Sequence, residues 1–287
     1  MKTLSTIRAA ALAATTVWTL ACASLVQAQH VDILVSQDQA VGGKLVIGGF
    51  DDGLPGVDNP GPVGVFGFDA EFDGAGSPYF GNGEPGFRAR KTAELTPLFG
   101  LPGGENLGFS FRSFAIGGDS ANLWYWDGSG SPTFVPSVGH QLKLKRGASE
   151  STVTGVNTDV SGFTIATTST IDPNPGIGTI HQHVDTYISQ GASGEPTNLG
   201  IYLVGLEFTL SGGHTPSDLT YLVFATIDEE GLITEGMHDS AIDWVQENLV
   251  EAQPEAVPEP SSILLCGAAG GVGLMVWTIR RRRLGLQ

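Results

Sequence analysis

Between residues 31 and 227 the chain alternates short β-branched and aromatic runs with clusters of Gly, Pro, Asn and Asp. Period-two alternation bounded by turn formers is the signature of half-buried strands. The clearest case starts at Tyr202. Val204, Leu206, Phe208 and Leu210 share its face, opposite Leu203, Gly205, Glu207 and Thr209, so one side is strongly buried. The same reading predicts strands over 31–36, 44–47, 63–69, 107–116, 122–126, 141–145, 152–156, 162–167, 179–189, 200–210 and 219–227. Many short strands separated by turns predict an all-β fold, a single β-sandwich or jelly-roll-like domain over residues 29–250. Residues 50–106 carry DDGLPGVDNPGP, FDGAGSPYFGNGEPG and LFGLPGGEN, and read as long Gly-rich surface loops, not a second domain. One short helix follows the last strand. Asp239 or Ser240 can cap it, and Ile242, Val245 and Leu249 form an apolar stripe at i, i+3 and i+7. Residues 251–256 form a polar linker.

Both ends of the chain break this pattern. Lys2 and Arg8 precede an apolar run, and Val26 and Ala28 supply small residues at −3 and −1, so residues 1–28 read as a signal peptide for Sec export. Thr19, Leu20 and Ala21 make a poor lipobox before Cys22, which disfavours a lipoprotein reading. At the other end, a tag over 257–262 (Val257, Pro258, Glu259, Pro260, Ser261, Ser262) precedes an uncharged apolar stretch over 263–279. That stretch, about 17 residues, is at the short end of what spans a bilayer. Arg280, Arg281, Arg282 and Arg283 follow and hold that end in the cytoplasm by the positive-inside rule.

Tag, span and arginine cluster in this order resemble the PEP-CTERM sorting signal, over residues 257–287. The resemblance implies processing by an exosortase in a Gram-negative envelope. It implies an inner-membrane-tethered precursor and then a protein of the cell envelope, cell surface or extracellular matrix. It supplies an address and no activity.

Removing both ends changes the charge balance. Six of the 14 basic residues go and one of the 30 acidic, leaving eight against 29, a net charge of about −21 instead of −16. Such a body repels nucleic acid, which needs a basic footprint. Both cysteines, Cys22 and Cys266, lie in the end segments, so the folded body uses neither disulfides nor thiolate metal sites.

The candidate chemistry lies in the predicted strand over 179–189, where His181, His183, Asp185 and Tyr187 fall on one face. Imidazoles at i and i+2 can converge on one ion at about 2.0–2.1 Å from each nitrogen. Zinc closes with four ligands, so further donors are required. His30 is the first candidate, with Asp32 or Asp185 as an oxygen ligand or as the acceptor of an imidazole N–H. A short echo supports looking there: HVDILVSQ at 30–37 and HVDTYISQ at 183–190. His140, His214 and His238 read as isolated surface histidines.

The sequence HQH, a Gly-bearing turn and then GIYLVGLEFTL resembles surface-anchored β-sandwich proteins with an H-x-H strand, some of them linked to zinc limitation. That resemblance implicates His181 and His183 only; His30 rests on the strand argument. The competing reading is a polar, solvated strand face.

Calcium is a lesser cofactor candidate. Asp51, Asp52 and Asp58, or Asp69, Glu71 and Asp73, offer clustered carboxylates without the spacing of a known loop, which favours solvated loops. Trp124 and Trp126 share one face of NLWYWDG and could stack on sugars, or fill the core. GxSxG, HExxH and P-loop signatures are absent. The sequence therefore predicts an exported, exosortase-processed, non-catalytic protein, with zinc as the candidate ligand of its strand histidines. The alternative is a carbohydrate-binding or carbohydrate-active module acting on extracellular polysaccharide.

Overall fold

The computed structural model describes residues 31–51, 62–69, 80–90, 95, 98–169, 179–190, 199–226 and 232–252. With strands numbered in chain order, one four-stranded sheet runs β14 (Ile180–His183), β5 (Gly86–Ala89), β1 (Val31–Asp38), β2 (Lys44–Asp51). A second runs β12 (Ser149–Val153), β11 (His140–Arg146), β15 (Asp185–Gln190), β4 (Phe80–Asn82). A seven-stranded sheet contains β10 (Val135–Pro136), β9 (Trp124–Trp126), β16 (Ile201–Leu210), β17 (Thr220–Ala225) and β3 (Val65–Asp69), with β6 (Asn106–Arg112) and β13 (Val160–Thr167) joined through β16. A small ribbon pairs β7 (Phe114–Ile116) with β8 (Asp119–Ala121). Contacts divide the chain into two compact units, Met1–Gln246 and Glu247–Gln287, and every one of these strands belongs to the first.

The long strand β16 organises the seven-stranded sheet. One edge pairs with β17 from Ile201↔Ala225 to Leu206↔Thr220. Its other edge is divided, with Ile201 to Leu203 against β9 and Gly205 to Leu210 against β6. Tyr202, Val204, Leu206, Phe208 and Leu210 all join the main buried cluster, as period-two patterning requires. The opposite face is covered as well over its first half: Ile201 and Leu203 are fully buried, and Gly205 lies under Phe114 and Leu219.

The main core cluster is fed by all three larger sheets, and a smaller one of Leu34, Phe50 and Leu95 lies apart from it. Ile33, Val35, Phe87 and Ala89 enter from the first, Leu142, Leu144 and Ile188 from the second, and Phe109, Phe208 and Phe224 from the third. Phe87 of β5 meets Phe208 of β16 edge-on at 5.8 Å between centroids, joining two sheets across the core.

Four expectations change. β4 and β5 lie within the segment read as loops, because Phe87 and Ala89 turn inward while Arg88 and Arg90 turn outward beside a Gly/Pro cluster that conceals the alternation. The predicted strand over 179–189 is two strands, for the chain leaves one sheet for another at Val184. The strand over 107–116 likewise breaks into β6 and β7 at Ser113, whose backbone N–H is taken by Asp159 Oδ1 at 2.8 Å.

The helix α1 (Glu235–Val245) starts earlier than expected, capped by Thr234, whose side chain accepts from the Met237 N–H. Its buried stripe is His238, Ala241, Ile242 and Val245, and a stripe opened by a histidine escapes an apolar count. Gly67 on β3 lets the helix close on the sheet, since a Cβ there would overlap Ile242.

Replacing Phe208 with Ala should cost about 3–5 kcal/mol, as a fully buried aromatic side chain is lost between two sheets. Urea denaturation monitored by tryptophan fluorescence measures it, and a loss below that of an ordinary surface substitution would contradict this packing.

Candidate metal centre

Pairing registers build the site row by row. β14 runs antiparallel to β5, setting His181 opposite Arg88 and His183 opposite Gly86. β5 runs parallel to β1, with Phe87 beside Ile33 and Arg88 beside Leu34. Because Ile33, Phe87 and Ile180 face the core, alternation puts Asp32, Gly86, Arg88, His181 and His183 together on the outer face.

Gly86 is the positional requirement. A Cβ there would overlap the Asp32 carboxylate and stand 2.9 Å from His183 Cε1. Without a side chain at that position, a carboxylate from one neighbouring strand and an imidazole from the other approach each other over the strand between them.

The donor atoms converge. His181 Nε2 and His183 Nε2 are 3.2 Å apart, and Asp32 Oδ2 is 3.8 Å from His181 Nε2. Among the described residues, Asp32, His181 and His183 form the group whose ligand atoms all lie within 4.8 Å of one another. The carboxylate is nearly buried, its side chain 8 % exposed, whereas His181 and His183 are 53 % and 45 % exposed. A nearly buried oxygen donor under two accessible nitrogens leaves one side open to solvent.

Hydrogen-bond partners determine what the two rings can do. His183 Nδ1 is 3.2 Å from the Gly83 carbonyl, which can only accept, so Nδ1 carries a proton and Nε2 is the nitrogen left to offer a lone pair. Glu84 Oε2, 3.6 Å from the same Nδ1, reinforces that orientation while accepting the Gly86 N–H at 2.7 Å. Arg88 Nη2 lies 3.2 Å from His181 Nε2, and a guanidinium only donates, so that nitrogen is also a lone-pair acceptor. In these tautomers the two Nε2 atoms turn lone pairs toward the same point, where a cation could bind both.

The spacing suits a metal ion. Two nitrogens bound to a tetrahedral zinc at 2.0–2.1 Å stand about 3.3 Å apart, close to the distance found. Two imidazoles and a carboxylate suit zinc far better than calcium, which takes six to eight oxygens.

Other predicted residues lie elsewhere. Asp185 is outside the cluster: it begins β15 in a different sheet, opposite Lys145, because the chain changes sheet at Val184. His30 lies outside the described residues, as do Asp52, Asp58, Glu71 and Asp73. Asp51 ends β2, and the Asp69 carboxylate faces His238 Nδ1 at 2.9 Å. Trp124 and Trp126, at 0 % and 3 % exposure, are core residues whose indole N–H groups donate to the carbonyls of Ala121 and Ser129. Their ring faces are not available to a sugar.

Nor are the remaining histidines isolated surface groups. His238 is fully buried, with Nε2 3.1 Å from the Val223 carbonyl. His140 meets Tyr125 and Tyr202 edge-on, and burial pushes its pKa below the ordinary histidine value. His214 is half-buried, its Nδ1 3.1 Å from Gln37 Nε2.

Residues 256–283 match the family model of the PEP-CTERM protein-sorting motif. The chain thus carries the sorting segment of an exported, membrane-anchored precursor bound for the cell surface, with exosortase as its processing partner. No curated protein matches the chain and no solved structure does, and nothing in the comparisons supports the likeness to zinc-limitation proteins. Among the described residues no helix is long and apolar enough to cross a membrane; the predicted span over 263–279, the tag Val257 to Ser262, the arginines 280–283 and the signal peptide over 1–28 lie outside them.

Substituting Gly86 with Ala should lower stability by about 1–3 kcal/mol through overpacking. A thermal melt of the purified body measures it; an unchanged melting temperature would show that Asp32 and His183 do not close over Gly86.

Proposed function

We propose that the exported body is a non-catalytic zinc-binding β-sandwich delivered to the cell envelope, surface or matrix. On this reading Sec exports the chain, a signal peptidase cuts after Ala28, and the apolar segment over 263–279 tethers the precursor to the inner membrane until an exosortase acts on the tag.

The observation that carries the zinc reading is the pair of lone-pair-bearing Nε2 atoms of His181 and His183, 3.2 Å apart above the Asp32 carboxylate. Three protein donors leave one position of a tetrahedral ion to a fourth ligand. His30, two residues before Asp32, is our candidate for it. A binding role, not a hydrolytic one, fits the carboxylate next to His183. Glu84 addresses Nδ1, on the side of the ring away from the metal-facing nitrogen, and also holds the Gly86 N–H.

The carbohydrate-binding alternative has lost its platform, since Trp124 and Trp126 are core.

Metal analysis of the purified body after zinc loading tests the reading. The native body should retain about one zinc, the His181→Ala/His183→Ala variant essentially none, and Asp185→Ala as much as native. Absence of zinc from the native body would end the proposal. For the sorting segment, replacing Pro258, Glu259 and Pro260 with Ala should leave the precursor uncut, seen as a slower band on immunoblots of membrane fractions. Normal processing of that variant would remove the tag's assigned role.

A further inference from the structure

We infer that Arg88 is a built-in competitor for the metal: its guanidinium occupies the donor set in the metal-free protein, and an arriving ion must displace it. The inference rests on the zinc reading and deepens it. Arg88 Nε donates to Asp32 Oδ2, while Nη2 lies 3.2 Å from His181 Nε2. One planar group therefore engages two of the three atoms that would ligate the ion. It is also positioned independently of them, with Cζ 4.3 Å from the centre of the Phe50 ring. Arg90, the residue after β5, covers the same ring at 4.0 Å, so the two arginines share an aromatic support on β2.

Two consequences follow. In the metal-free protein Arg88 neutralises a nearly buried carboxylate and gives His181 a donor, so the site keeps its shape without an ion. When an ion binds, that guanidinium gives up its contacts with Asp32 and His181 and stands beside a second positive charge. Only a cation with a strong affinity for imidazole nitrogen compensates for this. Hard cations, which bind carboxylate oxygen and largely ignore imidazole, do not. Arg88 thereby sets both affinity and selectivity.

The two roles have opposite signs, which makes them separable. Arg88→Met keeps the length of the stem and removes the charge. In the full body its metal-free melting temperature should fall, because Asp32 is left unpaired, while its zinc affinity, measured by calorimetry, should rise at least tenfold. Arg88→Lys keeps a charge but cannot bridge Asp32 and His181 with a planar fork. It should fold more securely and bind zinc severalfold tighter than native, and it carries the test if Arg88→Met does not fold.

A merely structural Arg88 would lower stability and affinity together. Zinc binding by the native body with equal or weaker binding by the variants overturns the competitor role and leaves the metal site standing. Binding by the variants alone overturns zinc binding by the native body, and with it the displacement of Arg88 by an arriving ion. No binding by any of the three proteins overturns the metal reading itself, and the inference with it.

Discussion

The edge-on contact between Phe87 and Phe208 fixes which way β5 faces, and the outer surface of its sheet follows from that choice. A strand four residues long has few means of fixing its own rotation. With Phe87 and Ala89 drawn into the shared core, Gly86 and Arg88 must face outward. Turned the other way, the same strand would bury an arginine and expose a phenylalanine. The packing between sheets therefore determines the chemistry on the surface.

The elements that could be read in the sequence are those in which one face carries large apolar residues without interruption. Tyr202 to Leu210 is such a run, and β16 lies where the alternation put it. β5 was hidden because only two of its residues face the core and a Gly/Pro cluster precedes them. Alternation also placed His181 and His183 on one face, but it carried Asp185 along with them. A change of sheet at Val184 leaves no mark on the residue pattern. Asp32 was named only as an alternative to Asp185; its position beside the histidines depends on parallel pairing of β1 with β5, which no local signal encodes. His238 and His140 were misread for a related reason. A histidine looks solvated until the carbonyl or the aromatic rings that enclose it are known.

Charge is handled differently inside and outside this fold. Lys44 pairs with Asp218, and Arg112 with Asp159 and Glu207, all in partly or largely exposed positions where such pairs contribute about 0–1 kcal/mol each. The Arg88–Asp32 pair is the contrast, with both side chains largely withdrawn from water. There each group depends on the other, since removing one partner strands a nearly buried charge. An acidic body with few cations places one of them where it matters most.

The parallel pairing of β1 with β5 has a consequence in time. The hairpin of β1 and β2 is local and can close early, but Arg88 lies 56 residues beyond Asp32, and His181 a further 93 beyond Arg88. Contacts of such long range form late, after the loops between them have been closed. A chain halted before β14 would lack both imidazoles and also Phe208, the contact that turns β5. The full constellation thus exists only in a chain that has finished folding, and its assembly marks the maturity of the protein more strictly than any one strand does.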